Sequence, residues 1–225
     1  YPTQFNGMFA FTVDGYPIMG QAPGWDNVWT AVGVWVTHAG GVGKAIAEWM
    51  DAGHPSRDVH EANINRFYEY ATSQYYLERS AAQQYREVYD IIHPKQQMEH
   101  TREVRLAPYY DQLQQLGGEF FESTGWERPQ WYRRNARLLS KYQDRIPERS
   151  GWESRYWSPI QGAEHLAVRD HVGLFELSSF VKIEVSGPGA ADYLEWLSAN
   201  RVLRGEGKIV YTALLNRHGR IQSDL

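Results

Sequence analysis

A short apolar strand that runs into three glycines and straight on into an amphipathic helix constrains this chain more than any other feature. It is GVWVTHAGGVGKAIAEWM, residues 33–50. Val42, Ala45, Ile46, Trp49 and Met50 share one helical face, Lys44 and Glu48 the opposite one, and Gly53 supplies the stop. Such a junction brings backbone close to a flat or charged ligand, because unpaired N–H groups and the helix dipole at a helix N-terminus favour electron-rich atoms. It serves equally as a tight turn that packs a helix closely on a strand. Two nucleotide motifs are excluded. A phosphate loop needs glycine where His38 stands and Ser or Thr where Ala45 stands, and a dinucleotide fingerprint needs glycine at Ile46.

Around this junction the chain divides into three pieces. In residues 1–55, residues 9–12 read as a strand, Asp14–Gly15 as a hairpin turn and residues 16–19 as its return. Pro23–Gly24 makes a second turn, followed by a strand over residues 27–36 and then the glycine loop and helix. The second piece, residues 56–150, is polar, aromatic and mostly helical. Leu77, Ala81, Tyr85, Val88 and Ile92 recur at helical spacing up to His93–Pro94, and residues 109–116 form a short helix stopped by Gly117–Gly118. The aromatic residues of GWERPQWY point to packing, and the charged stretch 133–149 reads as a linker. The third piece, residues 151–225, shows a helix over 161–172 and an alternating strand over 181–185. A helix led in by Gly187–Pro188 follows, then a hairpin of residues 209–215 and 221 onward about the turn 216–219. The fold class is α+β.

Composition narrows the chemistry. The 27 acidic residues outnumber the 23 basic ones for a net charge of −4, which argues against a general nucleic-acid binder. The chain has no cysteine, so disulfides, thiolate metal sites and cysteine nucleophiles are excluded. The eight histidines show no metal spacing, Ser178–Ser179 lacks a nucleophile elbow, and no apolar run approaches membrane-spanning length. Asp224 draws attention because it sits past a hairpin turn in a strand placed for packing, where a carboxylate needs a partner or a task. The chain opens at Tyr1 and stops at Leu225, just past a hairpin pattern, and is expected to be an internal fragment of a longer protein.

With the three pieces in order, the chain resembles the dimethylglycine dehydrogenase, sarcosine dehydrogenase and dimethylglycine oxidase family. These are FAD-dependent oxidoreductases joined to a folate-binding region similar to the glycine-cleavage T-protein. FTVDGYPIMG and VTHAGGVGKAIAEWM resemble the end of the FAD-dependent amine-oxidase (DAO-like) domain. YDIIHP and LGGEFFESTGWERPQWY resemble the connecting domain. YWSPIQGAEHLAVRDHVGLFELSSFVKIEVSGPGA and IVYTALLNRHGRIQSDL resemble the truncated start of the aminomethyltransferase-like folate domain. The resemblance implies that Val34, Trp35, Val36, Thr37 and His38 face the isoalloxazine ring of FAD, with His38 either an orienting donor or a packed neighbour. It implies FAD and tetrahydrofolate as cofactors, with the flavin attached covalently in many relatives at a histidine upstream of this chain.

The implied reaction is oxidation of an N-methyl group of dimethylglycine or sarcosine, with the one-carbon unit captured by tetrahydrofolate. Asp224 matches the family's catalytic carboxylate near the folate nitrogens. Two departures stand beside it: Ser223–Asp224 where T-proteins usually carry two acids, and Gly219–Arg220 in place of Gly-Gly. The electron acceptor is either an electron-transfer flavoprotein or O2. No metal, nucleic-acid or membrane partner is implied, and the compartment is bacterial cytoplasm or mitochondrial matrix. The same architecture occurs in the non-catalytic regulatory subunit of pyruvate dehydrogenase phosphatase, so a scaffold role stays open, as does an aminomethyltransferase with a degenerate flavin region. By itself the fragment is expected to be catalytically silent and to bind FAD poorly.

Overall fold

The structure is a computed structural model describing Thr3 and residues 7–225, so the opening of the 1–55 piece (1, 2 and 4–6) lies outside the described residues. The chain forms two compact units, Tyr1–Ser179 and Phe180–Leu225.

The first unit begins with an antiparallel pair, β1 (Ile18–Gln21) against β2 (Trp29–Val32), in the register Ile18↔Val32 to Gln21↔Trp29. This corrects the hairpin expected about Asp14–Gly15. The turn is present, with Gly15 at φ 78°, but residues 9–12 form no strand. Its bonds go elsewhere: Thr12 Oγ1 donates to the Tyr16 carbonyl at 2.8 Å, and Arg66 grips Asp14 through Nε and Nη2 at 2.7 and 2.9 Å. β2 is also shorter than expected, because Gly33 turns the backbone to φ 66° and Val36–His38 closes a 3-10 turn.

α1 (Ala39–Ala52) follows, ended by Gly53 at φ 75°, whose N–H bonds the Trp49 carbonyl at 2.9 Å. Trp49 meets Trp29 edge-on at 5.6 Å. Gly20 makes this approach possible, since a Cβ there would lie 3.0 Å from the Trp49 ring.

α2 (Gln74–Glu87) starts at Ser73, whose hydroxyl accepts from Tyr76 N, and stops short of His93–Pro94. Its buried stripe is Tyr76, Ser80 and Gln83, while Leu77 and Tyr85 from the expected apolar spacing are exposed, and Val88 and Ile92 lie beyond its end. The reason is a polar tie. Gln83 donates to the Gln97 carbonyl at 3.0 Å and accepts from Glu99 N at 2.9 Å, satisfying a loop that would otherwise bury bare backbone.

After α3 (Tyr110–Gln115) the chain makes a hairpin that the residue pattern did not disclose, β3 (Gly118–Ser123) with β4 (Trp126–Tyr132). Thr124 and Gly125 form its two-residue turn at φ 51° and 83°, the left-handed pair that matches strand twist. Glu119 pairs Trp131 and Phe120 pairs Pro129, so Gln130 is the extra residue of a bulge, which suits a proline that cannot donate to a ladder. A Cβ on Gly125 would sit 2.8 Å from the Tyr70 ring. Gly125→Ala is therefore expected to cost about 1–3 kcal/mol in thermal or denaturant unfolding. An unchanged midpoint would contradict the turn geometry.

The stretch read as a linker folds instead as short helical turns, including α4 (Leu139–Tyr142), with Tyr142 only 1% exposed. It packs on α5 (Pro159–Asp170), where Glu164 accepts from Tyr132 N at 2.9 Å and Asn135 Nδ2 at 2.7 Å. Carboxylate bonds to both neighbours hold this charged stretch in place.

The second unit holds α6 (Ala190–Leu197) and the antiparallel pair β5 (Ala213–Leu215) and β6 (Ile221–Asp224). Mutual bonds between Thr212 and Leu225, 3.0 and 2.9 Å, extend the ladder. Asn216 caps the turn by accepting from His218 N and Arg220 N. The strand expected over 181–185 is not formed among the described residues: neither β5 nor β6 pairs with it, and Val181 and Ile183 are exposed.

Candidate functional site

The glycine loop leaves its helix end without a side-chain cap. Trp35 is extended, Val36–His38 tightens into a 3-10 turn, and α1 begins with no side-chain cap from His38 and no acidic residue in its first turn. Val34 and Trp35 are half-buried, whereas Val36, Thr37 and His38 are exposed, Val36 at 93%. A Cβ at Gly40, Gly41 or Gly43 would meet nothing within 4 Å. The 3-10 turn takes up the first N–H groups of the helix start, His38 N bonding the Trp35 carbonyl at 2.9 Å and Ala39 N the Val36 carbonyl, so the loop presents the positive end of the helix behind an exposed turn, which suits the electron-rich edge of a planar ring. No other described side chain has taken that role.

Trp35 is held by aromatic neighbours. Phe11 meets it edge-on at 6.2 Å, Tyr89 edge-on at 6.4 Å, and Phe9 stacks at 6.4 Å. Gly33 and Trp35 also line a cleft of about 820 Å³ within the first unit, with Phe11, Gln97, Glu122 and Gln130 among its walls. Of the five residues assigned to a flavin, Trp35 alone belongs to the cleft lining.

Glu122 and its cross-strand partner Glu127 were not singled out by sequence reasoning. The signal was available in FESTGWE, where a two-residue turn sets the two glutamates opposite one another. Both are buried, at 7% and 1% exposure, and like charges facing across a ladder repel. The structure separates their proton affinities. Burial pushes Glu127 up, but hydrogen bonds from Arg102 and from Glu103 N outweigh it and hold the carboxyl below the usual range. Glu122 is pushed up, first by burial, despite donations from Tyr76 O–H at 3.1 Å and Gly125 N to its Oε1. The Tyr76 hydroxyl is driven up in turn by burial and by Glu122.

A carboxyl whose folded-state affinity for a proton is raised favours folding at low pH. That contribution fades as pH climbs from the unfolded value through the raised one. Glu122→Gln keeps an acceptor for both donors and removes the charge. It is expected to raise the melting temperature at pH 8 relative to wild type and to leave a smaller difference at pH 5. A lower melting temperature at pH 8 but not at pH 5 would contradict this.

In the second unit Asp224 closes β6 opposite Ala213, exposed, with Oδ2 accepting from the Tyr211 hydroxyl at 2.9 Å. That bond is the main reason the Tyr211 hydroxyl is held above its ordinary range. Tyr211 was missed in the sequence, although the Thr212–Leu225 bonds that set them side by side follow from hairpin register. Among the described residues no group of three or more His, Cys, Asp or Glu is arranged to hold a metal, and no helix is long and apolar enough to cross a membrane.

This architecture is that of a joined protein, an oxidoreductase connecting segment leading into an aminomethyltransferase-type domain. Residues 52–107 match the FAD dependent oxidoreductase central domain and residues 109–225 match the GCVT N-terminal domain. The chain belongs to the family of FAD-dependent oxidoreductases fused to a T-protein-like domain, the family of dimethylglycine and sarcosine dehydrogenases.

The chain is 32% identical over 222 residues to the 4-methylaminobutanoate oxidase (formaldehyde-forming) of Paenarthrobacter nicotinovorans, 97% of this chain and 26% of that protein. It is 30% identical over 223 residues to mitochondrial dimethylglycine dehydrogenase of Rattus norvegicus, 98% of this chain and 25% of the relative. It is also 30% identical over 220 residues to the mitochondrial pyruvate dehydrogenase phosphatase regulatory subunit of Mus musculus, 95% of this chain and 24% of the relative. The chain thus spans about a quarter of the length of the curated relatives it matches.

Proposed function

We propose that this chain is part of a flavoprotein that oxidises an N-methylated amino acid, dimethylglycine or sarcosine, and passes the one-carbon unit to tetrahydrofolate. The observation carrying this reading is the uncapped N-terminal face of α1 beside Trp35. There, residues 34–38 would lie against the isoalloxazine of FAD, with the positive end of α1 behind them. When bound, FAD supplies the two-electron acceptor. The loop's part is electrostatic: fixed N–H dipoles and the helix end stabilise negative charge on the ring edge without reorganising. His38, exposed at the helix start, is assigned the orienting-donor role toward the same edge.

In the T-protein-like part, Asp224 is assigned the proton-accepting or orienting role toward folate, with Tyr211 fixing the carboxylate by its 2.9 Å bond. The electron acceptor is an electron-transfer flavoprotein or O2, and the compartment is bacterial cytoplasm or mitochondrial matrix.

The test is product analysis with the full-length protein and methyl-labelled dimethylglycine, sarcosine or 4-methylaminobutanoate, with and without tetrahydrofolate. Labelled methylene-tetrahydrofolate when folate is present, and free formaldehyde when it is not, is the expected result. The similarity to the phosphatase regulatory subunit favours a second reading, a binding role without turnover. Absence of both products with all three amines would support it over the first.

A further inference from the structure

We propose that Tyr89, together with Phe11, is a positioning residue for Trp35: the two rings set the indole plane that the loop presents to the flavin. The inference rests on the flavin-capping reading above and assigns a task to the segment after α2 within that site.

Trp35 occupies the extended position that leads into the 3-10 turn, and its backbone does not by itself choose a ring orientation. Its ring is bracketed at its edges, with Phe9 stacked on it at 6.4 Å and 26°. Phe11 stands against it at 6.2 Å and 81°, and Tyr89 at 6.4 Å and 83°. Both are edge-to-face arrangements inside the favourable range for aromatic pairs. Phe11 is itself held edge-on by Tyr85 at 5.5 Å and 83°, so the bracket is anchored to α2. Tyr89 is 87% exposed, two residues beyond the last turn of α2. A ring so exposed fills no core, and its aromatic contact with Trp35 is the interaction that gives it a place. Of the exposed apolar side chains of α2, Tyr85 reaches this bracket, through Phe11.

Losing one edge-to-face pair shifts the balance between ring orientations by about fivefold. Because Tyr89 is exposed, its replacement is expected to leave folding intact. The experiment compares Tyr89→Leu, Tyr89→Phe and Trp35→Leu in the full-length holoprotein, reading the visible circular dichroism and midpoint potential per bound flavin. Tyr89→Leu is expected to shift both in the same direction as Trp35→Leu, and Tyr89→Phe, which keeps the ring edge, to restore wild-type values. If Trp35→Leu shifts them and Tyr89→Leu does not, the positioning role is overturned while the flavin-capping reading stands. If Trp35→Leu shifts neither, the capping reading itself fails and takes this inference with it. Loss of the signal in Tyr89→Phe as well would also overturn it, since a hydroxyl effect is not an aromatic bracket.

Discussion

Arg102→Ala is expected to destabilise the first unit by about 3 kcal/mol, the low end of the range for breaking a buried ion pair. Glu127 is 1% exposed and would keep the Glu103 N–H bond but lose both guanidinium bonds, at 2.8 and 2.5 Å. Arg102 itself is 36% exposed, so solvent screening softens the loss. Its guanidinium also donates to the Phe120 carbonyl at 3.0 Å, so the substitution loosens β3 directly. For a unit of this size the change corresponds to about 6–12 °C in melting temperature.

The pH dependence has a definite sign. Glu127 has a folded-state proton affinity below its unfolded one. The pair's stabilisation is therefore fully present above the unfolded carboxylate value of about 4.5, and is lost as pH falls through the lower folded value. The deficit of Arg102→Ala relative to wild type should accordingly shrink on acidification. Arg102→Lys keeps charge but loses the fork and should fall between the two. A deficit under about 1 kcal/mol at pH 7 would show that Glu127 finds another partner.

On the proposed function, Asp224→Asn is expected to separate amine oxidation from one-carbon transfer in the full-length protein. Removing a positioned proton acceptor costs about 10²–10⁴-fold. The loss should fall on methylene-tetrahydrofolate formation while amine oxidation, assigned to the flavin region, keeps its rate and formaldehyde accumulates. Tyr211→Phe removes one bond to the carboxylate and should give a smaller loss, about tenfold, in the same step. Equal loss of oxidation and transfer would mean that Asp224 supports the fold instead of the transfer.

The legible parts of this chain were those where local pattern and tertiary packing agree. α1 and its Gly53 stop, α3 before Gly117, the helix expected over 161–172 and found two residues earlier at Pro159–Asp170, and the β5–β6 turn all follow from apolar spacing and turn chemistry. The errors share a cause. Residues 9–12 read as a short apolar strand and 181–185 alternate like one, but a strand exists only with a ladder partner, and residues far away in sequence decide whether one comes. α2 buries Tyr76, Ser80 and Gln83 because the loop at 97–99 needs hydrogen bonds, a demand invisible in the helix itself. The β3–β4 hairpin hid behind Thr-Gly, a weaker turn signal than Asn-Gly or Asp-Gly, and behind a proline that the bulge tolerates. At the site, the loop was visible because glycine and a helix start mark it. Tyr211 and the Glu122–Glu127 pair emerged only with strand register.

The most direct test of the account is the visible spectrum of the full-length protein under anaerobic conditions, before and after adding dimethylglycine or sarcosine. The account predicts a bound-flavin spectrum that bleaches with at least one of them. A protein with no flavin, or with a flavin spectrum left unchanged by both amines, would contradict it.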